Sequence, residues 1–160
     1  MNGDAREVGL DQLGKLAEER LKAGQQVRLT VVGNSMYPLF RSKCDSVVLA
    51  PISGDIKKND VVLYRRKNGQ YVMHRIIQRK HGVYAANGDN QAWVEKPLYR
   101  EQLLGRMIAF VRNGKYVTVN RFWYRVYRFV WTKGKPFRRT MIRLLQRAAK
   151  MRAWVRKREK

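Results

Sequence analysis

The chain has 160 residues and a formal net charge of +23, from 35 Lys/Arg against 12 Asp/Glu. That length allows one domain plus an appendage. A single cysteine, Cys44, excludes an intrachain disulfide, and the lack of any CxxC or Cys/His cluster argues against a metal site, so no cofactor is expected.

Residues 10–23 read as an amphipathic helix. Leu10, Leu13, Leu16, Ala17 and Leu21 share one face, with Glu18, Glu19 and Lys22 outside it, and Gly24 suits the C-terminal stop. Val27, Leu29 and Val31 then alternate with Arg28 and Thr30, the period-2 pattern of a half-buried strand. Gly33-Asn34 turns the chain sharply into Ser35. Met36 can anchor that turn in apolar surroundings, and Pro38 fixes the exit direction.

Further short strands are expected at 46–50, 60–64, 71–78, 83–86, 104–112 and 115–119. Asn68-Gly69 and Asn113-Gly114 are hairpin signals, Gly82 is a turn, and 91–102 reads as a loop or short helix. About seven short strands with tight turns predict a mainly β fold, a sandwich or coiled partial barrel. The expected organisation is an N-terminal helix over 1–24, a β domain over 25–120 and a basic helical tail over 121–160.

A serine on a sharp turn at a strand end is well placed to attack a carbonyl, although most such serines only shape the turn. The strand Val72-Met-His-Arg-Ile-Ile77 carries His74, one of two histidines, and Tyr84-Ala-Ala-Asn-Gly-Asp-Asn90 ends in a turn with a carboxylate. Serine, histidine and carboxylate are the parts of a nucleophile, a base and an orienting group. His81 sits in a turn and is assigned no role. Cys44 lies in a polar turn and reads as incidental. Asp60 reads as a turn acid.

Taken in order, Ser-Met-x-Pro at 35–38, Asp-Val-Val at 60–62, His-Arg-Ile-Ile at 74–77 and Gly-Asp-Asn at 88–90 resemble the signal peptidase I superfamily, which also contains the LexA-like self-cleaving repressors. The resemblance covers roughly residues 27–111. Histidine at position 74 resembles the endoplasmic-reticulum-type branch rather than the lysine-dependent branches. It implies a serine endopeptidase with Ser35 as nucleophile and His74 as base. Two acids compete to orient His74: Asp89 in the Gly-Asp-Asn turn, and Glu95, at the place of that branch's second acid. A short acid at a tight turn favours Asp89. The oxyanion hole is expected from the Ser35 backbone N–H. Gly33 stands where the family often has a hydroxyl, so the Asn34 side chain is the candidate second donor. The implied substrate is an extended leader or precursor peptide, with small residues before the cut. Such enzymes typically carry a transmembrane anchor, and none is expected here, because no apolar run approaches the ~20 residues a span needs. The opening residues hold no hydrophobic signal region, which points to the cytoplasm.

The tail carries most of the charge imbalance. Residues 121–160 hold 15 Lys/Arg and one acid. Arg121, Arg125 and Arg128 recur on one helical face, with Phe122, Trp123, Val126, Phe129, Val130 and Trp131 over much of the rest. After a break at 132–136, a second helix is expected to set Phe137, Met141, Leu144, Leu145, Ala148, Met151 and Val155 against Arg139, Arg143, Arg147 and Lys150. Aromatic bodies with basic flanks suit a helix lying in the interface of an anionic membrane. Nothing resembles a base-reading motif, which argues against nucleic acid as the partner. The alternative to an enzyme is a non-catalytic β module that binds membrane or RNA.

Overall fold

The computed structural model describes residues 10–134 together with 140, 144, 147 and 151. It divides into two compact units that meet in sequence at Arg121 and Phe122. Among the described residues the first unit holds one α-helix, α1 (Leu10–Lys22), and eight strands: β1 (Val27–Thr30), β2 (Ser46–Pro51), β3 (Val61–Arg65), β4 (Tyr71–Lys80), β5 (Val83–Asn87), β6 (Glu95–Leu98), β7 (Leu103–Arg112) and β8 (Lys115–Thr118). The fold is mainly β, as the turn spacing predicts.

All pairings are antiparallel, in the order β1-β2-β7-β3-β4-β5-β6. β7 is the hub. One edge pairs along β2, from Gly105 to Val111. The other is shared: Leu103–Arg106 pairs with β3 and Ala109–Arg112 with β8. The sheet therefore divides at β7. Register shifts in β2, β3, β4 and β5 add local bends.

The turns follow their residue chemistry. His81-Gly82 and Asn113-Gly114 both adopt positive φ at the two central positions, the backbone that joins twisted antiparallel strands in two residues. At Asn68-Gly69 only the glycine is left-handed, and the loop closes with Arg66 N–H donating to the Gln70 carbonyl. The segment read as loop or short helix contains β6 and a short 3-10 turn, Arg100–Gln102. Glu95-Lys-Pro-Leu has poor strand composition, but β6 is an edge strand, where proline costs no ladder hydrogen bond on the open side.

Ile56, Val62, Tyr64, Ile76, Tyr84, Ala86, Leu98 and Leu103 form one cluster. Elsewhere Phe40 packs edge-on against Phe110, with ring centres 5.5 Å apart, and Met36, Leu39 and Val47 are also buried.

α1 ends in a paired-bond glycine cap: Gln25 N–H donates to the Arg20 carbonyl and Gly24 N–H to that of Leu21, with Gly24 at φ +78. Ala17 and Leu21 are buried as expected, whereas Leu16 is half exposed. Glu18, read as outside the packed face, is buried. Its carboxylate accepts from the Tyr71 hydroxyl at 2.6 Å and from Lys22 at 2.7 Å. The Leu10 side chain lies outside the described residues. Gly14 lets α1 close on β4, because a Cβ there would sit 2.3 Å from Tyr71 Cγ.

In the second unit α2 (Phe122–Lys133) ends with Gly134 N–H donating to the Val130 carbonyl. Tyr124, Tyr127 and Trp131 stack in sequence, with centres 6.4 and 5.6 Å apart. That row lies on the side of α2 away from Phe122, Val126 and Phe129. Trp131 is buried, so it does not join the exposed aromatics as expected. Thr140, Leu144, Arg147 and Met151 are helical and exposed. The rest of the expected second helix, including Arg143, lies outside the described residues. Among the described residues no helix is long and apolar enough to cross a membrane.

Gly14→Ala should lower unfolding free energy by about 1–3 kcal/mol, the usual cost of overpacking. Urea denaturation followed by tryptophan fluorescence measures it, and an unchanged midpoint would mean that α1 does not press on Tyr71.

Candidate active site

Ser35 sits just beyond β1. Its turn is built by its neighbours. Tyr37 N–H donates to the Asn34 carbonyl, Phe40 N–H donates to that of Met36, and Met36, Leu39 and Phe40 are buried. Gly33 has φ +87, which an L side chain resists, and its N–H donates to the Ser42 hydroxyl at 3.0 Å. The Tyr37–Pro38 peptide is cis.

The Gly88-Asp89-Asn90 turn lies directly on the serine turn. Asn90 N–H donates to the Ser35 carbonyl at 2.8 Å, and the Asn90 side chain donates to the Asn34 carbonyl at 3.1 Å. Gly88 permits the approach, since a Cβ would meet the Ser35 carbonyl oxygen at 2.6 Å. Asn34, the candidate oxyanion donor, is exposed, and its carbonyl serves the turn.

His74 lies in β4, opposite Val62 of β3. It is 1% exposed. Ser35 and His74 line the same cavity of about 290 Å³, together with Leu13 from α1, Leu29, Val31 and Met73. Among the described residues no hydrogen bond joins the serine hydroxyl to the ring. Catalytic contacts of unliganded enzymes are often long and tighten with substrate.

The structure separates the two candidate acids. Asp89 is taken by Arg75: Nε donates to Oδ1 at 2.9 Å and Nη2 to Oδ2 at 2.7 Å, with both side chains fully buried. Successive residues of a strand point to opposite faces, so Arg75 and His74 leave β4 on different sides, although the Asp89 charge still acts on the ring. Glu95 is beside the ring, with Oε2 3.6 Å from Nδ1.

Between Glu95 and His74 stands Tyr64, which the sequence marks only as a strand former. Its hydroxyl is 2.9 Å from Nδ1 and donates to Glu95 Oε2. The register makes this contact possible: Val62 faces His74, and Tyr64 is its diagonal neighbour two residues along. Arg66 Nε donates to Glu95 Oε1, and its guanidinium lies 5.6 Å from the Trp93 ring centre. Trp93 in turn packs edge-on to His74 at 6.0 Å.

Burial pushes the His74 ring down from 6.5 to about 4, the Arg66 charge adds to this, and the Asp89 charge opposes it. The ring is therefore neutral at neutral pH and can accept a proton. Burial pushes the Glu95 carboxyl up, while the Arg66 hydrogen bond works the other way. Among the described residues no group of His, Cys, Asp and Glu is arranged to hold a metal. Cys44 is exposed.

No protein-family model matches the chain, and a search of curated proteins gives no match.

Asp89→Ala should cost about 3–5 kcal/mol, because it removes the carboxylate that balances the buried Arg75 cation. Chemical denaturation reads this directly. A loss below about 1 kcal/mol would mean that the pair does not hold the serine turn against β4.

Proposed function

We propose that this chain is a serine endopeptidase of the signal peptidase type, cleaving a leader or precursor peptide at an anionic membrane surface. The observation that carries the reading is the shared cavity of Ser35 and His74, held by a Gly-Asp-Asn turn clamped to the serine turn. The order of the motifs along the chain supports it independently. β1 stands at one end of the sheet order. A peptide added along that edge passes Ser35, with the aliphatic cavity beneath it.

In the reaction His74 Nε2 takes the proton from Ser35 Oγ as the oxygen attacks the peptide carbonyl, then returns it to the leaving amine. The Ser35 N–H stabilises the oxyanion. Water repeats the sequence on the acyl-enzyme. A cavity near 290 Å³ is at the small end for ligand sites and suits one or two side chains of an extended peptide.

Ser35→Ala should abolish cleavage of a precursor peptide library read by mass spectrometry, with the denaturation midpoint unchanged. Surviving activity removes Ser35 from the mechanism. His74 must be neutral to act, so kcat/KM should hold on the acid side until pH falls through about 4 rather than 6.5. A limb at 6.5 would place the base in a solvated setting.

The membrane part of the reading rests on the second unit. Phe122 is 78% exposed and Phe129 63%, with Trp123, Val126 and Val130 exposed nearby and Arg125 and Arg128 alongside. Each Lys/Arg near an anionic leaflet contributes roughly 1 kcal/mol. The full chain should sediment with vesicles containing phosphatidylglycerol and not with phosphatidylcholine alone, and Phe122→Ser with Phe129→Ser should weaken it at least tenfold. Binding to RNA with no binding to either vesicle would favour a non-catalytic nucleic-acid module.

A further inference from the structure

We propose that Tyr64 is the positioning residue of this site: its hydroxyl, standing between His74 Nδ1 and Glu95, holds the ring in the Nδ1–H form. The catalytic part rests on the Ser35–His74 reading; the tautomer part does not.

Proton counting decides between the two neutral forms of the ring. A tyrosine hydroxyl has one hydrogen to give, and a carboxylate can only accept. The Tyr64 hydroxyl touches both Glu95 Oε2 and His74 Nδ1. Arg66 Nε donates to the other oxygen of Glu95, which favours its ionised form. The hydroxyl hydrogen is therefore given to Glu95, and the tyrosine oxygen must accept from Nδ1. Donation to Nδ1 instead would set two oxygens face to face with no hydrogen between them. Nδ1 thus carries the ring proton, and Nε2 keeps the lone pair a general base needs.

The tyrosine cannot turn away to another partner. It is fully buried and packs with Val62, Ile76 and Leu103. When Nε2 takes the Ser35 proton, the imidazolium still donates through Nδ1 to the Tyr64 oxygen, and Tyr64 still donates to Glu95. The proton stays on Nδ1 throughout, and Tyr64 neither gains nor loses one. The carboxylate, 3.6 Å from Nδ1, faces the new positive charge. The acid of a serine-histidine-acid triad touches the ring directly; here a hydroxyl is interposed.

The test uses the full chain labelled with ring-15N histidine. There are two histidines, so His81→Gln assigns the spectrum. At pH 7 the His74 signals should show Nδ1 protonated and Nε2 bare. Tyr64→Phe keeps the ring and removes one oxygen; it should shift the population toward Nε2–H. In a cleavage assay kcat should fall roughly 10–100-fold with KM unchanged, part of the 10²–10⁴ that a general base supplies. Glu95→Ala frees the hydroxyl to donate to Nδ1, so it should convert the ring to Nε2–H without touching Tyr64. An Nε2–H ring in the unaltered protein overturns the proposal, as does Tyr64→Phe with unchanged tautomer and kcat. The spectrum needs no turnover, so a failure there is distinguishable from a failure of Ser35→Ala.

Discussion

The buried pair of Arg75 and Asp89 is the interaction on which the site depends. It joins the middle of β4 to the turn that follows β5, and that turn is fastened through Asn90 to the carbonyls of Asn34 and Ser35. One ion pair thus fixes the distance between the strand bearing His74 and the loop bearing Ser35. Two charges removed from water attract strongly but cost much to desolvate, so such a pair adds little net stability. Its value is geometric: a bidentate guanidinium–carboxylate contact tolerates few orientations. Gly88 belongs to the same device, since any side chain there would drive the two turns apart.

The electrostatics of the ring follow from the same packing. His74 sits in β4 beside apolar Tyr64 and Trp93 surfaces, with the Arg66 cation near enough to disfavour a second positive charge. Such a ring remains a free base over nearly all physiological conditions. A positive charge formed on it would face a carboxylate reached through one hydroxyl. Arg66 serves both sides of this balance, since it also ties down Glu95.

Much of this was legible in residue types and their order. The tight turns at 81–82 and 113–114 read true because glycine and its partner there must take positive φ. Ser35 and His74 stand out by residue type, and both line one cavity. Other features were hidden because they depend on what lies across the sheet. β6 has charges and a proline, and only pairing to β5 makes it a strand. Glu18 looks solvent-facing until Tyr71, 53 residues away, supplies a donor. The pairing of Asp89 with Arg75 could not be read locally, because it depends on how the turn after β5 lies on β4. Tyr64 carried no signal beyond strand propensity; the hairpin register alone brings its hydroxyl to the ring.

The open edge of β1 has a bearing on how the molecule behaves in company. Among the described residues no strand pairs with the outer edge of β1, and a terminal strand invites any extended chain, including another copy of the same protein. β6 is blunted by Pro97, but Val27-Arg-Leu-Thr has no proline to discourage pairing. A charge of +23 supplies a different safeguard, a mutual repulsion that keeps like molecules apart. That safeguard thins as ions screen it, so crowding at high ionic strength is where this protein is most exposed to self-association.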